Sequence, residues 1–177
     1  MGRGKAGRRL YDKRCPGVEY IGVELMKKLI IGGKKFSSRL FVGTGKDSSH
    51  SVMQAALSSS GTEMVTVALR RVDFNNPDND ILSFIDRNKY TLLPNTAGAK
   101  DHEQAVRLAR MARAAGCEPW VKLEVTPDPR YLLPDGVETL KATEILVKEG
   151  VIVPPYINAD PVLAQHLEDA GAATVMA

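Results

Sequence analysis

The stretch Trp120-Val121-Lys122-Leu123-Glu124-Val125 reads as a strand, and its alternation decides the fold around it. Side chains alternate along a strand, so Lys122 and Glu124 share one face while Val121, Leu123 and Val125 share the other. Amphipathic helical patterns flank it, over residues 103–115 before and 138–148 after. Strands that alternate with helices pair in parallel, and parallel sheets are normally covered on both faces. A lysine held on such a strand has lost much of its water. Desolvation disfavours the ammonium form and leaves neutral amine able to attack a carbonyl. That is Schiff-base chemistry, and Glu124 stands two residues on to move the protons. The same pair also fits an internal ion pair on a half-wet edge strand, with no chemistry attached.

Outward from that stretch the same unit recurs. Residues 39–43 read as a strand, followed by the loop Thr44-Gly45-Lys46-Asp47 and a helix over 49–58. Residues 64–69 form the next strand, with a loop through Asn75-Asn76-Pro77 and a helix near 80–85. A third strand, 90–94, runs into Asn95-Thr96-Ala97-Gly98 and a helix after Asp101. Past the Lys122 strand comes a loop over 126–136 that holds three prolines. Residues 151–156 make a fifth strand, and Asp160-Pro161 then starts a helix with Asp at the N-cap and Pro at the first helical position. A sixth strand is expected at 173–176. Upstream, residues 27–36 with Gly32-Gly33 at their centre read as a short hairpin.

Five strand–helix units plus a strand fit a (β/α)8 TIM barrel represented through its sixth strand, or an open doubly wound sheet. Two features favour the barrel. Polar residues gather just past the carboxyl ends of the strands: Thr44 and Lys46, Arg70 and Arg71, Asn95 and Thr96, Asn158 and Asp160. The active site of a barrel is built from those loops. The first strand also lacks the GxGxxG of a dinucleotide site, and Gly43-Thr44-Gly45 alone is weak evidence for a phosphate loop. Length is the difficulty, since a barrel of this type takes ~250 residues and this chain has 177.

Composition excludes several function classes. Aromatic residues make up 6% of the chain, so the core must be mostly aliphatic. No apolar run approaches the ~20 residues that cross a bilayer, and no signal peptide is visible. The expectation is a cytoplasmic protein with no membrane partner. Cys15 and Cys117 lie far apart with no CxxC spacing, which reads as two thiols rather than a disulfide or metal site. His50, His102 and His166 are scattered and read as solvent-facing helix residues, so no metal is expected. The net charge of +3 belongs to one end. Residues 1–25 carry six Lys or Arg against three Asp or Glu, and the remainder carries eighteen of each. A basic, Gly-rich leader of that kind is expected to be disordered, and the neutral body gives no case for nucleic-acid binding. The domain reading is a leader over 1–25 and a partial barrel over 26–177.

Several motifs, in order and in register, give the chain a family likeness. They are Leu40-Phe41-Val42-Gly43-Thr44-Gly45-Lys46, Val65-Thr66-Val67-Ala68-Leu69-Arg70-Arg71, Leu92-Leu93-Pro94-Asn95-Thr96-Ala97-Gly98-Ala99, Val121-Lys122-Leu123-Glu124-Val125 and Pro155-Tyr156-Ile157-Asn158-Ala159-Asp160. Together with Leu132-Leu133-Pro134-Asp135 they resemble the thiazole synthase of thiamine biosynthesis, over about residues 28–176.

The resemblance implies a (β/α)8 barrel that forms the thiazole phosphate from three inputs. These are deoxyxylulose phosphate, dehydroglycine and the thiocarboxylate of a small sulfur carrier protein. It implies no cofactor, and a homo-oligomer for the full-length enzyme. The family's Schiff-base lysine falls on Lys122 and its acid/base glutamate on Glu124. Arg70 and Asn95 are candidate substrate-binding residues; ordinary surface exposure and a turn role are the competing readings of the two. Asp47 stands where the family usually has tyrosine, and Pro154 where it has leucine. The family continues past Val175-Met176 into a glycine-rich phosphate loop, so the phosphate site is expected beyond Ala177. Two alternatives go with this reading: a partial or inactive piece lacking that site, and a generic Schiff-base aldolase that needs no carrier.

Overall fold

The structure, a computed structural model, describes residues 27–45, 47–72 and 81–177. The leader over 1–25, Lys46 and the loop through Asn75-Asn76-Pro77 lie outside the described residues.

The chain enters through a hairpin, β1 (Leu29–Ile31) and β2 (Lys34–Phe36), paired antiparallel with Ile31 opposite Lys34. Both turn residues, Gly32 and Gly33, have positive φ, at 51° and 79°. A two-residue turn that matches strand twist needs that conformation twice, which is why Gly-Gly sits there. A parallel sheet follows, made of β3 (Phe41–Gly43), β4 (Met64–Ala68) and β5 (Thr91–Asn95), with Val42 opposite Val65 and Val65 opposite Leu92. Its pairing passes on through single bridges, Asn95 to Lys122, Leu123 to Pro155, and Tyr156 to Met176.

Six parallel segments therefore lie side by side in chain order. A doubly wound sheet reverses its strand order part-way; this α/β sheet does not. Among the described residues, β3 and the segment 173–176 do not pair with each other.

Strands expected at 120–125, 151–156 and 173–176 are extended segments joined at single bridges rather than continuous ladders. Pro154 and Pro155 carry no N–H, so that segment pairs through the Pro154 carbonyl, which accepts from Leu123 N–H at 3.2 Å, and through Tyr156 N–H, which donates to the Leu123 carbonyl at 2.8 Å. The helix expected near 80–85 is a single 3-10 turn, Ile81–Phe84. Its chain is turned back at Asp86, whose carbonyl accepts Tyr90 N–H at 2.9 Å at the entry to β5.

The helices start on side-chain caps. α1 (His50–Ser60) is capped by Ser49, α2 (His102–Ala114) by Asp101, α3 (Gly136–Lys148) by Asp135 and α4 (Pro161–Asp169) by Asp160, each oxygen accepting a backbone N–H of the first turn. The Asp160-Pro161 start is borne out. No helix among the described residues is long and apolar enough to cross a membrane.

The core divides by strand face. Val121, Leu123 and Val125 are fully buried and pack on Ala105, Val106 and Ala109 of α2 and on Ala142 and Leu146 of α3. Alanines on α2 let that helix approach the sheet closely. On the other face Trp120 closes the amino-terminal end of the sheet with Ile31, Phe36, Met64 and Leu93. Phe36 and Trp120 meet edge to face with centroids 6.1 Å apart. The hairpin thus plugs one end, and the polar members of the same face look toward the other.

Candidate active site

Burial along 121–125 alternates, apolar residues fully covered and Lys122 and Glu124 half-buried. Two residues along a strand advance the backbone by about 6.6 Å, which two long side chains on one face can span. Lys122 Nζ lies 3.1 Å from Glu124 Oε1, with the side chains 25% and 16% exposed. Lys122 Nζ also stands 6.0 Å from the centre of the Tyr156 ring, at the limit of a cation–π contact.

These groups open into a cavity of about 360 Å³. Its lining adds Arg70 from the turn after β4, Ala97, Gly98 and Lys100 from the loop after β5, and Thr126, Pro127, Pro129 and Leu132 from the loop after the Lys122 segment. The cavity therefore lies at the carboxyl ends of the parallel segments, where loops rather than strands meet. Three cations, Arg70, Lys100 and Lys122, face it against one carboxylate, Glu124, which already holds Lys122. That balance favours an anionic ligand. Arg70 reaches across to the β5 loop: a Cβ added to Gly98 would sit 3.5 Å from Arg70 Nη1, and Gly98 itself has φ +94°.

The proline-rich loop forms one rim. Asp135 N–H donates to the Val125 carbonyl at 2.9 Å and ties its end to the strand it left. Within it Leu132 has φ +55°, in the left-handed region that side chains avoid. Tyr156 Oη donates to the Leu132 carbonyl at 3.4 Å, joining the ring near Lys122 to that strained residue.

Asn95 is the bridge partner of Lys122, so the register places it beside the lysine. Its Oδ1 accepts the Ala97 N–H at 3.3 Å, a turn contact, and it does not line the cavity. Arg70 does line it. Sequence reasoning overlooked Lys100 and Tyr156 as cavity residues. The usable signal for Tyr156 was its place at the end of the fifth strand, on the parity that faces inward.

Nor is His102 a solvent-facing helix residue. It is half-buried at the start of α2, with Nδ1 2.5 Å from Glu138 Oε2 and its backbone N–H donating to the same oxygen at 2.9 Å. Lys141 Nζ donates to Glu138 Oε1 at 2.8 Å. The Lys141 bond first, then the two from His102, pull the Glu138 carboxyl down to about 2. This trio joins the first turns of α2 and α3 beside the loops that carry the cavity.

The family model described as "Thiazole biosynthesis protein ThiG" matches residues 30–177, most of the chain. The chain belongs to the ThiG family. It is 71% identical over 151 residues to "Thiazole synthase 2" of Syntrophotalea carbinolica, covering 85% of this chain and 58% of that protein. It is 69% identical over 150 residues to the thiazole synthase of Syntrophobacter fumaroxidans, covering 85% and 59%. The chain thus spans a little under three-fifths of the length of these ThiG-family relatives. Among solved structures it resembles the BexX/CysO complex of Amycolatopsis orientalis, with TM-score 0.69 and 29% identity, covering 84% of this chain and 62% of that one. A decarboxylase for 3-keto-L-gulonate-6-phosphate from Vibrio cholerae shares the fold at TM-score 0.50 and 13% identity, over 77% and 60% of the two chains.

Proposed function

We propose that this chain carries the Schiff-base part of a thiazole synthase, within five strand–helix units and a sixth strand of a (β/α)8 barrel. The observation that carries the reading is the half-buried Lys122, 3.1 Å from the Glu124 carboxylate, in a cavity at the carboxyl ends of the strands. ThiG family membership supports the substrate assignment. The parallel segments in chain order and the fold likeness at TM-score 0.69 support the barrel.

In this reading Glu124 takes a proton from the Lys122 ammonium, and the neutral amine attacks the ketone of deoxyxylulose phosphate. A carbinolamine forms. Glu124, now protonated, returns its proton to the departing hydroxyl, and water leaves as the imine forms. The carboxylate next removes a proton from the carbon beside the imine. Return of that proton to the imine carbon turns the enaminol into an amine there and a ketone at the neighbouring carbon, to which the thiocarboxylate sulfur of a small carrier protein adds, and dehydroglycine completes the ring. A protein partner is in keeping with BexX, whose structure is a complex with CysO. Arg70 at the rim supplies charge for an anionic part of the substrates. Asn95, beside Lys122, shapes the turn that carries the Gly98 loop.

Borohydride reduction in the presence of deoxyxylulose phosphate tests the reading. A covalent adduct is expected on Lys122, located by peptide mass. Lys122→Arg should lose it, because guanidinium stays charged and is no nucleophile. An adduct that persists in Lys122→Arg rules the assignment out. A thiocarboxylated carrier that leaves the imine unchanged would favour a carrier-independent aldolase.

A further inference from the structure

We infer that Thr96 is a positioning residue for Glu124, holding the acid/base carboxylate through its own backbone; the inference rests on the Schiff-base reading above. Up to Thr96 the ladder between β5 and the Lys122 segment is regular. Lys122 N–H donates to the Pro94 carbonyl at 2.8 Å, and Thr96 N–H donates to the Lys122 carbonyl at 3.2 Å. The next bond of a parallel ladder would run from Glu124 N–H to the Thr96 carbonyl. That carbonyl serves another donor instead. It accepts Ala99 N–H at 3.0 Å, because the chain leaves the sheet through Ala97 and the left-handed Gly98 to form the cavity rim.

The departure takes the regular rung away from Glu124 N–H, and the Thr96 hydroxyl bonds both backbone groups of Glu124. Thr96 Oγ1 accepts from Glu124 N–H at 2.8 Å and donates to the Glu124 carbonyl at 2.8 Å. One hydroxyl has a donor and free lone pairs, so the two bonds form together. Thr96 is fully buried, which shields them from water. Pairing then resumes at the Ala99–Val125 bridge, with Thr126 N–H donating to the Ala99 carbonyl at 2.8 Å. A single side chain thus replaces the missing rung at the residue whose carboxylate must stay aligned with Lys122. Without the hydroxyl both of these bonds are lost, and the Glu124 peptide is no longer held against the end of β5.

The test uses the full chain with Thr96→Val, which keeps shape and removes the hydroxyl, and Thr96→Ser, which keeps the hydroxyl. Glu124→Gln and the Thr96→Val/Glu124→Gln double variant complete a cycle. Two quantities are read: the borohydride adduct on Lys122, and the rate at which the hydrogen beside the imine exchanges with solvent deuterium. Thr96→Val should keep the adduct and lose between about 10- and 100-fold in exchange, the scale of a small misplacement of a reacting group. Thr96→Ser should restore exchange. The double variant should exchange no more slowly than Glu124→Gln alone, because both changes act through one carboxylate. Normal exchange in Thr96→Val, or losses that multiply in the double variant, overturns the inference alone. Equal loss of adduct and exchange in Thr96→Val also overturns it, by showing general damage. An unsubstituted chain that gives no adduct overturns both this inference and the reading on which it rests.

Discussion

Lys122 and Glu124, two residues apart on one strand face, meet at 3.1 Å between Nζ and Oε1. The contact sets the order of events. A carboxylate in direct contact with the lysine nitrogen can take its proton without an intervening water, so in the proposed mechanism amine and acid are produced by the same transfer. In the proposed mechanism one carboxylate then serves both the dehydration and the later proton removal. Structural ion pairs make the same distance, which is why the pair has to be tested at each step separately.

Glu124→Gln should separate those steps. Imine formation needs only a neutral amine, and buffer can supply its protons, so the borohydride adduct on Lys122 should still appear. Exchange of the hydrogen beside the imine should fall by about 10²–10⁴-fold, the usual contribution of a positioned acid/base group. Mass analysis of the reduced peptide and of deuterium uptake measures both. Unchanged exchange would remove Glu124 from the proton-moving role.

Much of the frame was legible in the sequence for one physical reason: period-two alternation reports which face of a strand is covered. Alternation puts Val121, Leu123 and Val125 on one face, and all three are fully buried. Asp160 followed by Pro161 announced a helix start because each residue suits one position only. What stayed hidden depends on register between distant segments. Thr96 looked like one more loop residue, since its value comes from the Ala97-Gly98 excursion and from Glu124, 28 residues away. His102 meets Glu138 across 36 residues, and no local pattern marks that pair. The amphipathic pattern starts this helix at Glu138. Asp135 caps it earlier, so α3 begins at Gly136.

The Glu138 trio should give a measurable acid dependence. In the folded chain Lys141 and His102 hold this carboxyl at about 2, against about 4.3 in an unfolded chain. A group with a depressed folded pKa stabilises fully above its unfolded value and loses that contribution as pH falls toward the folded one. Glu138→Gln should therefore lower the melting temperature by a constant amount down to about pH 5. The gap between the two proteins should then narrow steadily and close near pH 2. A gap that widens as the pH falls from 5 to 2 would contradict the ion-paired assignment. Thermal melts of the two proteins across that range measure it.

The hairpin plug makes the last prediction, and two adjacent glycines supply its control. Both have positive φ, so alanine at either pays the cost of a left-handed residue, about 1–2 kcal/mol. They differ in what a side chain would meet. A Cβ on Gly33 finds nothing within 4 Å, whereas a Cβ on Gly32 would lie 2.6 Å from Ile152 Cγ2 and 3.2 Å from Trp120 Cη2. Those two side chains pack the amino-terminal end of the sheet, so the hairpin has to lift to make room. Gly32→Ala should be the more destabilising of the two, by roughly a further 1–3 kcal/mol for overpacking. The site lies at the opposite end of the segments, so both variants should keep the Lys122 adduct well below their melting temperatures. Urea titration gives the difference in stability and borohydride trapping gives the adduct. Equal destabilisation by the two substitutions would show that the hairpin does not press on Ile152 and Trp120.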